Sequence, residues 1–400
     1  MTNTRSIFLP LAIVATALAS VVRTSPATDR GTFITTLGRD TAVLESFTRT
    51  PSKLDGDIVV RFPGTVLLHY SVDLASDGAP THSVVDVTPL GTNQVLARRV
   101  TLDFAHDSMT VDFDSSGHHT RTRVAVPGTP VLQLMTGFGA SYGLYASPAL
   151  YELDAPLAHA TIGDTLRFSA VDIAIGRMSK RFFVKRSPTL IDADYFGIGY
   201  TRLGLDTAGR VISADAFETT ERTQTHRTDF IDLHSVAEKY AAEDHAGKGL
   251  GAASPELIAR GKVGGQLIVV TYSSPRRRNR EILGKVVPFD QVWRTGANAA
   301  TVIYFDKNVE VGGTAVPAGT YSLWTLPKRD GSVDLIVNSV HGEWGTDYDK
   351  SHDMFHIPMK VSTTSAPQED FTIAVADGNP GTLRMSWGSF VWSVPISIAK

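Results

Sequence analysis

The sequence has no cysteine among its 400 residues. That excludes a disulfide framework, a thiolate metal site, a cysteine nucleophile and a lipid-modified N-terminal cysteine. Surplus charge is also missing: 38 Lys and Arg stand against 41 Asp and Glu, a net of −3. A dedicated nucleic-acid binder carries a basic excess, so no nucleic-acid partner is expected. No apolar run outside the N-terminus approaches the ~20 residues a bilayer span needs. No phosphate-cradling glycine loop, dinucleotide fingerprint or paired-carboxylate pattern is present, and no cofactor is implied.

What is there points to β structure. The chain is 42% hydrophobic and carries 34 glycines and 20 prolines, with frequent Thr and Val, a composition suited to strands and turns. Its length exceeds one ordinary core, so two domains are expected. The N-terminus reads as a secretory signal. Arg5 is weakly basic, Ile7–Ala15 is apolar and broken only by Pro10, and Ala17-Leu18-Ala19 is a small-x-small site. Cleavage before Ser20 gives an exported protein, periplasmic or extracellular, with no transmembrane segment in the mature chain. An uncleaved anchor is the alternative.

From Thr32 onward, short alternating segments are cut by turns. Asp77-Gly78 and Ser116-Gly117 are hairpin signals, and Asp55-Gly56 reads as a turn before Asp57–Phe62. Strands at about ten-residue spacing without intervening helices form an antiparallel meander. We expect a curved antiparallel sheet, a half-barrel over 31–228, with the 130–157 segment on its concave face. A closed barrel is the alternative. Asp229–His245 is the best helical stretch, capped by Asp232 or Ser235, and 229–253 reads as helix plus linker. Beyond it, 254–400 reads as an antiparallel β-sandwich. It opens with Gly264–Ser273, has a Gly312-Gly313 hairpin and closes with Phe355–Val361, Phe371–Ala376, Leu383–Trp387 and Val391–Ile398. The fold class is therefore mainly β with one or two short helices.

Several motifs of the second domain occur together. They are Thr271-Tyr272-Ser273-Ser274-Pro275, Arg280-Glu281-Ile282-Leu283-Gly284, Val292-Trp293-Arg294-Thr295-Gly296-Ala297-Asn298, Pro317-Ala318-Gly319-Thr320-Tyr321-Ser322-Leu323-Trp324 and Gly342-Glu343-Trp344-Gly345. In this order they resemble the bacterial family catalogued as domain of unknown function 2911, over about 254–400. The resemblance implies secretion and a β domain, but no activity and no functional residues.

Three groups of residues are candidates for chemistry. Tyr272, Arg280, Trp293, Arg294 and Asn298 place a guanidinium fork and an amide near aromatics, with Trp324 and Trp344 as stacking surfaces. They suit a small anionic or glycan ligand. Equally, Trp293 anchors a core, Arg294 pairs with Asp290 or Glu343, and Gly296 permits a turn. The Arg276–Arg278 run reads as a solvated loop. His352 and His356 stand four apart beside Asp347, Asp349 and Asp353, a metal-like spacing if helical; Pro358 argues for a strand instead. Gly139-Ala140-Ser141-Tyr142-Gly143 matches a nucleophile elbow, but lacks the strand-to-helix context that chemistry requires.

Two functions remain open. One is a non-catalytic envelope-associated or small-ligand binder, with a lipid-like ligand in a hollow lined by Leu67, Tyr70, Leu102, Phe104, Leu132, Leu134 and Phe168. The other is a hydrolase of an envelope polymer or ester, with its site in the arginine-rich loops. The balance leans away from an enzyme.

Overall fold

The computed structural model describes residues 28–92, 95–134, 146–151, 160–194, 200–216 and 222–398. The signal-like segment and the Ser141 elbow lie outside them, as does most of 130–157.

The first domain is one 15-stranded sheet. Its first wing is β1 (Asp29–Leu37), β2 (Asp40–Arg49), β3 (Lys53–Val60), β4 (Val66–Leu74), β5 (Pro80–Pro89), β6 (Arg98–Phe104), β7 (Ser108–Ser115) and β8 (His118–Ala125). The second wing is β9 (Val131–Gln133), β10 (Thr165–Asp172), β11 (Arg177–Ser187), β12 (Leu190–Asp194), β13 (Tyr200–Leu205), β14 (Val211–Asp215) and β15 (Thr223–Thr228). Within each wing every strand lies beside its sequence neighbours, and β1 pairs with β15 to join the wings. All pairings are antiparallel except β9 with β10. The sheet is open, with β8 and β9 as its edges.

Local chemistry explains the meander. Ser116 and Gly117 both hold positive φ (51° and 82°), the backbone a two-residue hairpin demands, and they join β7 to β8. Asp55-Gly56, by contrast, is no turn. Both residues sit inside β3 and pair across to β2 and β4.

The wings face each other. A Cβ on Gly176, in the turn between β10 and β11, would lie 2.4 Å from Val111 Cγ1 and 3.3 Å from Leu102 Cδ2. Buried side chains from both wings, including Phe33, Leu54, Tyr70, Leu102 and Phe183, form one continuous core. A short helix, α1 (Pro148–Tyr151), lies within it, and all four of its residues are buried.

The better helical stretch, α2 (Leu233–His245), covers the outer face of the first wing. Its N-cap is Asp232, whose side chain accepts from His234 N at 3.0 Å. Leu233 and Ala237 pack on Leu44 and Val59. The Arg61 guanidinium sits 3.7 Å from the Tyr240 ring and 3.1 Å from Glu243. The Asp244 carboxylate accepts from Thr65 N at 2.6 Å. The helix is thus part of the first domain. Leu67 also packs under this helix, on the outer face. It stands an odd number of residues from Tyr70, and alternation sends the two side chains to opposite sides.

The second domain is two sheets around one core. The larger has six strands in the order β16 (Glu256–Val263), β17 (Gln266–Ser273), β18 (Thr301–Phe305), β21 (Gly319–Pro327), β22 (Val333–Asn338) and β23 (Asp353–Pro358). The smaller has four: β20 (Thr314–Val316), β19 (Val309–Val311), β25 (Gly381–Ile398) and β24 (Lys360–Ala376). Gly312 and Gly313 make the expected tight hairpin, at φ 56° and 84°. Two features depart from the sequence reading. β16 precedes the strand expected to open the domain. The last part is two long strands where short ones were expected, because register shifts after Thr363 and Gln368 break the alternation without ending the pairing. Trp293, Phe371, Trp387 and Trp392 meet at the centre of the core, with ring centroids 5.1–6.4 Å from Trp293.

Candidate functional site in the interior of the first domain

The residues singled out in the second domain do not converge on an open site. Trp293 is 3% exposed, and its backbone exchanges hydrogen bonds with Thr325 (2.8 and 2.9 Å). Thr295, Gly296 and Asn298 follow with positive φ, so the chain turns tightly on itself. A Cβ on Gly296 would come within 2.8 Å of Ser273 O, which makes glycine the fitting residue there. The Asn298 side-chain amide donates to Ser254 O and Ser273 Oγ, both at 3.4 Å, and the Asn298 backbone carbonyl accepts from Gly345 N. Arg294 lays its stem on Gly345, where a Cβ would lie 2.0 Å from Arg294 Cδ. Asp290, offered above as its partner, pairs with Arg329 at 2.9 Å instead. Tyr272 is buried edge-on against Phe371. Trp324 is 1% exposed, donates to Ser322 Oγ and lies under Tyr348. Trp344 is half-buried and bridges to Ala299. Arg280 folds back on its own loop, donating to Arg276 O (2.6 Å) and Arg277 O (3.1 Å). The motif works as a turn that fastens two loops to the core.

The histidines likewise separate. His352 ends a 3₁₀ turn and faces Asp349 at 3.7 Å, whereas His356 lies on β23 and faces Asp353 at 3.1 Å. Asp353 also accepts from Tyr348 Oη (2.5 Å) and Asn338 Nδ2 (2.9 Å). Burial, then the hydrogen bond to Asp353, raises the Tyr348 hydroxyl well above its ordinary value. Among the described residues no group of three or more His, Asp or Glu is placed to hold a metal.

The interior of the first domain offers different chemistry. On β2, Val43, Glu45 and Phe47 alternate toward the core, so Glu45 enters an apolar space at 0% exposure. Its Oε1 accepts from Tyr70 Oη at 2.6 Å and from Ser147 Oγ at 2.5 Å. Gly56 makes this reach possible: a Cβ there would lie 2.6 Å from Tyr70 Cζ and 2.7 Å from its hydroxyl. Burial, then the neighbouring Glu45, pushes the Tyr70 hydroxyl well above its ordinary value. Around this polar centre stand the Phe33–Phe47 stack (5.6 Å) and the Tyr151–Phe183 edge contact (5.6 Å). Phe104, Phe113 and Val124 from one wing, and Leu166 and Phe168 from the other, are only partly buried against the core. Of the seven residues expected to line a hollow, Tyr70, Leu102, Leu132 and Leu134 are in this core, Phe104 and Phe168 pack on it, and Leu67 does not reach it.

The family match falls in the second domain. Residues 254–396 match the family described as "Protein of unknown function (DUF2911)". No curated protein matches the chain. One similar solved structure is that of a DUF1089 family protein from Pseudomonas aeruginosa, 13% identical. The match covers 43% of this chain and 89% of that one, with a TM-score of 0.29.

The DUF2911 region docks on the first domain through its arginine-rich loop. Arg278 is 2% exposed, not solvated. Its Nη1 binds Asp40, at the start of β2, and its guanidinium lies 4.7 Å from the Phe62 ring. Its carbonyl accepts from Arg39 N at 3.1 Å. Gly38 permits the approach, since a Cβ there would lie 2.1 Å from Arg278 O. Glu369, from β24, accepts from Arg278 N (2.9 Å) and faces Arg39 (3.7 Å). The arginine run of the DUF2911 region is therefore a domain joint. No sequence signal marked it, because Gly38 and Arg278 meet only in the fold. Glu45 did carry a signal: an acid at an inward position of an otherwise apolar alternation.

Proposed function

We propose that this is an exported, non-catalytic binding protein whose first domain holds a lipid-like ligand. The observation that supports this most directly is Glu45, a carboxyl group at 0% exposure inside one apolar core shared by two facing wings. Burying such a group costs several kcal/mol, and the Tyr70 and Ser147 hydroxyls are among the groups that offset it. A cost of this kind, set in an apolar interior, suits recognition of the polar end of an otherwise apolar molecule. The partly buried Phe104, Phe113, Val124, Leu166 and Phe168 mark where the interior meets solvent. Export rests on the N-terminal pattern, a basic residue, an apolar run and Ala17-Leu18-Ala19.

A hydrolase site in the arginine-rich loop draws no support from the geometry, since Arg278 and Arg280 are engaged in the joint and in their own loop. The test is native mass spectrometry on protein purified from its own host, with fractionation and N-terminal sequencing of the mature form. A non-covalent adduct removed by organic extraction, on an exported chain beginning at Ser20, is expected. A bare chain that binds no amphiphile on titration would refute the binding function.

A further inference from the structure

Arg278 meets the first domain with half of its guanidinium. Nη1 pairs with Asp40, and the Phe62 ring answers the charge from one face. Nε and Nη2 are buried, with no acceptor in hydrogen-bond reach among the described residues. These two nitrogens form the side-on edge of the guanidinium, a fork that takes two oxygens of one carboxylate or phosphate. An aromatic face supplies no lone pair to that edge. Burial, the largest effect, pulls the guanidinium below its ordinary pKa, and the bond to Asp40 only partly opposes it. The backbone is also in an unfavourable region. Arg278 holds φ 50°, which suits glycine or asparagine better than arginine. The loop thus delivers this side chain against its backbone preference and leaves two of its charged donors unsatisfied.

We propose that the Nε–Nη2 edge of Arg278 is an oxyanion site offered when the two domains part, so that oxyanion binding and docking exclude each other. The joint is small. Among the described elements, no strand or helix of one domain packs along one of the other. The contacts run from Gly38, Arg39, Asp40 and Phe62 to Arg278 and Glu369. In the docked state the fork is sealed and two charged donors go unmet; in the parted state an anion meets both. The edge also sets the ligand class, an oxyanion that presents two oxygens together, such as phosphate. A spherical chloride cannot span it. Glu369 and Asp370, half-exposed on the same side of the joint, disfavour an extended anionic surface, so the ion is a small free one. The site is separate from the first-domain interior and does not depend on what that interior holds.

The experiment compares sodium phosphate with sodium chloride at equal ionic strength and neutral pH, on the full chain. Two signals are read. One is the Arg278 Nε–H resonance by nuclear magnetic resonance, assigned by its loss in Arg278→Lys. The other is the rate of proteolysis near Gly247–Gly251, normalised to a peptide substrate. An ion that binds only the parted form multiplies its share by 1 + [phosphate]/Kd, so about 100 mM phosphate at a Kd of about 20 mM should raise cleavage about sixfold over chloride. General salt effects run the other way, since phosphate is excluded from protein surfaces and favours burial. Arg278→Lys, whose ammonium has no fork, should lose most of that rise. The wild-type resonance decides the matter if Arg278→Lys is already parted. A resonance that moves with phosphate but not chloride, while cleavage rises over the same range, supports the site. A resonance that stays put, moves equally with chloride, or moves without faster cleavage overturns it, as does an equal rise in Arg278→Lys.

Discussion

Arg278→Ala should uncouple the two domains. The substitution removes the ion pair to Asp40 and the stack over Phe62. Deleting one partner of a fully buried pair costs about 3–5 kcal/mol, and a partly desolvated cation–π contact adds about 0.5–2. Asp40 keeps 20% side-chain exposure, so water partly rehydrates it and the cost falls below the fully buried figure. We expect about 2–3 kcal/mol, which at 1.4 kcal/mol per decade lowers the docked-to-undocked ratio by roughly 30- to 150-fold. The backbone contact between Arg278 O and Arg39 N survives, so each domain should stay folded. Calorimetry should show one unfolding transition in wild type and two in the variant. Proteases should begin to cut near Gly247–Gly251, the Gly-rich connection after α2. Arg278→Lys should fall between the two, because an ammonium neither stacks on Phe62 nor forks. A double-mutant cycle with Asp40→Asn should give a coupling above about 1 kcal/mol. A single unchanged transition in Arg278→Ala, with no new cleavage, would refute the argument.

Asp192 links pH to stability. Burial opposes its charge, but hydrogen bonds from Arg202 and Arg186 outweigh that and hold its carboxyl below the ordinary value. A depressed folded value gives stability present above the unfolded value and lost as pH falls through the folded one. Wild type should thus lose stability below about pH 4, and Asp192→Asn should flatten that part of a denaturation series. Asp232→Ala removes the α2 cap and should cost about 1 kcal/mol, read by urea denaturation. Gly345→Ala should destabilise the second domain by about 1–3 kcal/mol, because its methyl meets Arg294 Cδ and Asn298 O. Trp293→Leu should cost about 2–4 kcal/mol, with loss of the near-ultraviolet circular-dichroism signal of the tryptophan cluster.

Turn chemistry made the meander legible. Ser116-Gly117 and Gly312-Gly313 specify their hairpins locally, and Asp232 caps its helix as its position before an Ala- and Glu-rich run suggests. The failures share another cause. Asp55-Gly56 resembles a turn, yet Gly56 is there for a ring that crosses from the next strand. PRRRNR resembles a solvated loop, yet Arg278 is buried by a hairpin of the other domain. In each case the deciding contact lies outside the local window. The WRTGAN turn shows the converse. Its residue types suggested a ligand, but the Asn298 amide and the Thr295 carbonyl are engaged within the fold.

The pairing of β1 with β15 has a consequence for the order of synthesis. Thr35 and Thr225, joined by a 2.8 Å hydrogen bond, are 190 residues apart. Apart from the parallel β9–β10 pair, each wing is a chain of neighbouring hairpins and can zip as it emerges, since its contacts are local. The seam between them cannot form until the last strand arrives. Through that interval β1 presents a row of unpaired amides and carbonyls, a template for any stray strand. α2, which follows β15 directly, then covers the outer face of β2, β3 and β4. The interval before the seam closes is where aggregation competes with folding. Translation pauses, holdase chaperones or truncations near residue 228 should therefore alter yield more than comparable changes within either wing.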